Sequence, residues 1–219
     1  MLKNLLLILL FTISSINAQN IDLPTEYLQN KTTGGKNSIP DNVIGSPYEN
    51  ENWQIGIVSI NDDVFTREMR YNAFSDEIEM KEKGEIIVLL KRDYIKAEIS
   101  NTAYSIEEYI SENGDVRQSY FSILNQGKTQ LLRKLNKDLI AAQTAASTYQ
   151  TDKPARFNEE IKYFVKLENK PAVEIKLKEK QILENLEHNK ELKSYIKNNK
   201  LKLKNEQEVI SLFKHYDSL

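Results

Sequence analysis

The chain has 219 residues, with 30 basic and 32 acidic side chains, a formal net charge of −2 and no cysteine. The lack of thiols excludes disulfides and thiolate metal sites, so the fold must rest on its hydrophobic core. Near balance of charge, without a dense basic patch, excludes an ordinary nucleic-acid reader.

Residues 1–18 have the three parts of a secretory signal peptide. Lys3 supplies the positive start, 5–11 is an uninterrupted apolar run, and a more polar stretch leads to small Ala18. A membrane-spanning helix needs about 20 apolar residues, and neither this run nor any later stretch reaches that, so no transmembrane segment is expected. The expected cleavage lies between Ala18 and Gln19. A bacterial lipoprotein would need cysteine directly after the cut, and Gln19 takes that place.

Without Lys3 the mature chain carries 29 basic and 32 acidic residues, unevenly spread. Residues 45–130 hold 9 basic and 16 acidic side chains, and 131–219 hold 18 and 13. Most of these charges are expected on solvated faces. The second reading is a basic C-terminal face that meets lipid headgroups or polysaccharide.

Residues 19–44 are poor in apolar side chains and read as a flexible N-terminal arm. A β-rich domain is expected over 45–137. Phe65, Met69 and Tyr71 share one face at period two, Glu77 to Lys81 alternate, and Ile86 to Leu90 are apolar throughout and read as the most buried strand. Asn61-Asp62-Asp63, Lys83-Gly84 and Asn113-Gly114 are turn signals. A less definite strand follows near 131–135.

The Ala-rich stretch 141–151 falls within a connecting segment over 138–158. From 159 to the end, a β-hairpin about Asn169-Lys170-Pro171 precedes two or three amphipathic helices. Asn205 is placed to cap the last helix with Glu208 in the capping-box position, and Val209, Leu212, Phe213 and Tyr216 lie along one stripe. The fold class expected is α+β: an antiparallel β-meander, curled or barrel-like, followed by the hairpin and helices.

Gly45-Ser46-Pro47-Tyr48, the run from Met69 to Glu79, Lys153-Pro154-Ala155-Arg156-Phe157 and the ending from Lys200 to Tyr216 carry a resemblance. They resemble uncharacterised secreted proteins of Bacteroidetes bacteria, a group with no assigned activity, over most of the mature chain. The resemblance implies a bacterial envelope or secreted protein and carries no catalytic residue across. Many exported proteins of these bacteria end in a β-rich sorting domain. The helix expected here argues against that route, so the periplasm is the first destination expected and secretion the second.

His188 and His215 are the only histidines and stand too far apart for a zinc pair on one helix. No G-x-S-x-G elbow accompanies them. Glu77, Glu79, Glu82 and Glu85 invite a glycosidase reading, but Glu77 and Glu79 alternate with Ile78 and Met80 and are expected to face water. Asn61-Asp62-Asp63 and Asn113-Gly114-Asp115 match turns better than calcium loops. Thr32-Thr33-Gly34-Gly35-Lys36 lacks the spacing of a phosphate loop.

Aromatic side chains are the least empty candidates. Tyr48, Trp53, Tyr71 and Phe74 form the candidate binding face, although core packing is the ordinary role of such residues and of Tyr104, Tyr109, Tyr120 and Phe121. No catalytic, cofactor or metal residue is assigned. The function expected is an exported, non-catalytic binding or structural module whose partner is an envelope protein or polysaccharide. A carboxylate-dependent glycan hydrolase and a peripheral membrane-surface protein are the alternatives.

Overall fold

The computed structural model describes residues 23–31, 39–145 and 151–219. The signal segment, the Thr32–Lys36 run and residues 146–150 of the Ala-rich stretch lie outside the described residues. The class is α+β: one open, mixed sheet with a helical part at the C-terminus.

Among the described residues, twelve strands build the sheet: β1 (Leu28–Asn30), β2 (Val43–Ile44), β3 (Gln54–Ile60), β4 (Asp63–Asn72), β5 (Glu77–Glu82) and β6 (Glu85–Leu89) come first. Then follow β7 (Ile95–Ile99), β8 (Thr102–Ile110), β9 (Val116–Ile123), β10 (Thr129–Ile140), β11 (Ala155–Leu167) and β12 (Val173–Ile175). The spatial order is β1-β6-β5-β4-β3-β7-β8-β9-β10-β11-β12, and β2 lies parallel to β11 off that path. Within the stretch read as a flexible arm, Leu28–Asn30 pairs with β6 and Val43–Ile44 with β11. The uncertain strand near 131–135 is the middle of β10, which pairs with β11 from Thr129↔Leu167 to Ile140↔Arg156.

Period-two alternation divides the core. Val58, Phe65, Met69, Ile78, Met80 and Tyr120 point into one cluster between the early strands. Phe121, next to Tyr120, points the other way and packs with Leu132, Phe164 and Ala172. Leu131, next to Leu132, points to the helices. Each such neighbour pair divides two cores across one strand, as the pleat requires.

Expectation and structure differ at β6. Leu89, Val88 and Ile87 are buried, but Ile86 is 42% exposed. Ile86 pairs with Lys81 in the exposed first part of β6, so an apolar run did not mean burial on both faces.

The helices α1 (Glu179–Leu183), α2 (Asn189–Asn198) and α3 (Glu206–Tyr216) close over β10, β11 and β12. Asn205 caps α3, its Oδ1 accepting from the Glu208 N–H at 3.0 Å. The Glu208 carboxylate does not complete a capping box. It accepts instead from the N–H groups of Lys202 and Lys204 at 3.1 and 3.3 Å. None of the described helices is long and apolar enough to cross a membrane.

Gly56 is required where β3 is flanked by β4 and β7. A Cβ there would lie 2.7 Å from the Glu98 carbonyl oxygen and 2.8 Å from the Met69 sulfur. Gly56→Ala is expected to lower stability by about 1–3 kcal/mol through overpacking, read as a lower urea midpoint. An unchanged midpoint would show that the strands separate without cost.

Candidate functional site

The four aromatic residues singled out from sequence do not share one open face. Tyr48 and Trp53 meet around Arg70, whose guanidinium carbon lies 3.6 Å from the Tyr48 ring centre and 4.2 Å from that of Trp53. The cation occupies the ring faces that a ligand would use. Tyr71 is core, 4% exposed, with its ring 5.2 Å from that of Tyr104. Phe74 packs edge-on against Phe157 at 5.4 Å.

Glu79 overturns its expected place in water: it is fully buried, at 0% exposure. On the other face of β5, Lys31 and Tyr48 meet the Glu79 carboxylate, so alternation put Glu79 beneath protein. Its Oε1 accepts from Lys31 Nζ at 2.6 Å and Asn72 Nδ2 at 3.1 Å, and its Oε2 from Arg70 Nη2 at 2.8 Å. Burial opposes the charge, but hydrogen bonds from Lys31, Asn72 and Arg70 outweigh it and hold the carboxyl below the usual carboxylate range. This is a clamp for the N-terminal segment. Its oxygens are turned to protein donors, an arrangement unlike the paired carboxylates of a glycosidase.

The neighbouring acids are likewise engaged. Glu77 accepts from Ser75 Oγ at 2.8 Å and Glu82 from Arg67 Nε at 2.6 Å. Asp76, at a left-handed φ of 56°, accepts from Tyr71 Oη at 2.9 Å, Ser119 Oγ at 2.7 Å and the Tyr120 N–H at 3.2 Å, and pairs with Lys91. Four partners thereby hold a strained backbone in place. His215 stacks on Tyr195 at 3.9 Å and His188 is the residue just before α2. Among the described residues, no group of three histidine or carboxylate side chains is placed to hold a metal ion.

A site that sequence reasoning missed lies where β8 to β12 come together. Ala172, just before β12, donates to the Glu108 carbonyl at 2.7 Å and accepts from the Ile110 N–H at 2.9 Å. Beside this junction is a cavity of about 250 Å³, lined by Tyr109, Ser111, Arg117, Lys134, Asn136 and Lys162 among others. Register explains the company: Tyr109 stands opposite Arg117, and Lys134 opposite Lys162.

Two lysines face each other there across an antiparallel pair, an arrangement that is ordinarily repulsive. Lys162 is compensated by Glu112 at 2.6 Å, Glu174 at 3.5 Å and Glu160 at 3.9 Å. Lys134 has no carboxylate in ion-pair contact among the described residues. Its ammonium donates to Ser119 Oγ and lies 5.1 Å from the Tyr109 ring centre and 5.7 Å from that of Phe121. Burial, then the charges of Lys91 and Lys162, push its pKa below the usual lysine value, against the pull of Asp76.

Lysine beside serine invites comparison with a Ser–Lys nucleophile. Ser119 is 1% exposed and its hydroxyl proton is directed to Asp76, so no substrate carbonyl can reach it in this arrangement. Lys134 is the member that meets the cavity. No family model matches the chain, and no curated protein or solved structure shows significant similarity to it.

Proposed function

We propose that this is an exported, non-catalytic binding module of the bacterial envelope, related to secreted Bacteroidetes proteins, that takes a small polar ligand in the Lys134 cavity. The observation that carries the reading is the contrast between Lys134 and the other charged groups described above. Glu79, Asp76 and Lys162 are each engaged by opposite charges within the protein, whereas Lys134 lines the cavity with no carboxylate in ion-pair contact among the described residues. Such a site offers binding and no nucleophile–base pair.

The N-terminal residues support export, with a soluble periplasmic protein as the first destination. Mass spectrometry of the mature protein's N-terminal peptide is expected to find it beginning at Gln19, and a retained Met1 would overturn export by this signal. We also read the sheet as a curled meander with β11 and β12 as the hairpin. The Ala172 bonds to β8 support the curl, and the Val165↔Val173 pairing supports the hairpin.

A screen of sugars, sugar acids, amino acids and small organic acids by amide chemical-shift mapping tests the cavity. Shifts are expected around Tyr109, Lys134 and Lys162 and should vanish in Asn136→Trp, which fills the cavity. Binding that persists in that variant, or maps elsewhere, would sink the reading.

A further inference from the structure

We infer that the Lys134 cavity receives a small hydroxylated monocarboxylate, of the chemical class of a sugar acid. This rests on the reading of the cavity as the ligand site and names what that ligand must carry.

The carboxylate follows from charge. An ammonium has three N–H donors, and the Lys134 hydrogen bond within the protein is to Ser119. Arg117, on the strand opposite Tyr109, is half exposed and, among the described residues, is paired with Asp115 at 3.4 Å. Both cations line the same cavity. A carboxylate between them would gain charge-assisted hydrogen bonds and relieve the repulsion between Lys134 and Lys162.

A second observation points to the same place. Ser111 Oγ is shielded from solvent and has no hydrogen-bond partner, and it too lines the cavity. Shielded hydroxyls are nearly always paired, so a rotation of the Ser111 side chain toward the cavity would let an acceptor oxygen on the ligand satisfy it.

The rest of the lining selects the remainder of the molecule. Asn113 and Asn136 offer amides that both donate and accept, which suits hydroxyl groups. Tyr109 and Phe164 add an aromatic wall for C–H bonds. Glu112 and Glu174 also line the cavity, and their charges disfavour a second negative charge on the ligand. That argues for a monocarboxylate over a phosphate dianion, and the small volume argues for a single ring over a longer chain.

The test uses the mature chain from Gln19 with three probes at constant ionic strength: D-glucuronate, D-glucose and inorganic phosphate. Glucuronate is expected to give saturable amide shifts around Ser111 and Lys134, with glucose and phosphate each weaker by about tenfold or more. Lys134→Met should weaken glucuronate by about tenfold or more and bring it to the level of glucose. Arg117→Met, at an exposed position, provides the same comparison if Lys134→Met does not fold.

Glucose binding as tightly as glucuronate, or glucuronate affinity unchanged in the folded variants, would overturn the carboxylate while leaving the cavity as a site. Phosphate binding more tightly than glucuronate would overturn the monocarboxylate. No saturable shift with glucuronate overturns this inference alone. The cavity reading falls separately, if the wider screen finds no ligand sensitive to Asn136→Trp.

Discussion

Replacing Glu79 with alanine is expected to lower the unfolding free energy by about 3–5 kcal/mol, because it removes one partner of a buried charge cluster. Arg70 and Lys31 would be left with side-chain exposures of only 13% and 27% and no carboxylate between them. Arg70 also donates to Tyr48 Oη at 2.6 Å and stacks on that ring, so the loss would loosen the segment around Tyr48. Urea denaturation at neutral pH measures the effect. A loss below about 1 kcal/mol would mean that both cations reach water once the carboxylate is gone.

The same group predicts an acid limb. Its folded pKa lies below the ordinary value, so its stabilisation is fully present above the unfolded pKa of about 4.3 and is lost as pH falls through the folded pKa. The stability difference between the native protein and Glu79→Gln should therefore shrink below about pH 4.3. A difference that stays constant from neutral pH through that range would show that Glu79 does not carry the charge of the clamp.

Phe213→Ala is expected to cost about 3–5 kcal/mol, the usual range for truncating a buried aromatic residue. Phe213 is fully buried in the cluster that joins α3 to Leu131 of β10 and Val165 of β11. Asp217, at the end of the same helix, accepts from the N–H groups of Lys128 and Thr129 at 2.9 and 3.2 Å. Displacement of α3 would thus also disturb the turn before β10. Thermal unfolding followed at helix and sheet wavelengths should show one shared, lowered midpoint. Helix loss well ahead of sheet loss would mean that the helical part melts as its own unit.

Much of the local structure was legible. Phe65, Met69 and Tyr71 fall on one buried face of β4 as their period-two spacing indicated. Asn205 caps α3, and Val209, Leu212 and Phe213 are the buried stripe of that helix. These follow from interactions within a few residues, which spacing and residue type report directly.

The candidate site was not legible in the same way. Lys134 and Lys162 sit on different strands, and only the pairing of β10 with β11 sets one opposite the other. A shift of one residue would have turned the lysine to the opposite face. Glu79 shows the companion difficulty: alternation assigns it the face opposite Ile78, but burial of that face depends on a segment some 48 positions earlier.

What the sequence determined by itself was therefore local: the lack of thiols, the strands with their turns, and the capped final helix. The tertiary structure alone decided which faces are covered and which distant cations meet, because coverage and register are set by long-range packing. Local spacing can state that two residues share a face. It carries no information about what is laid over that face or which strand lies alongside.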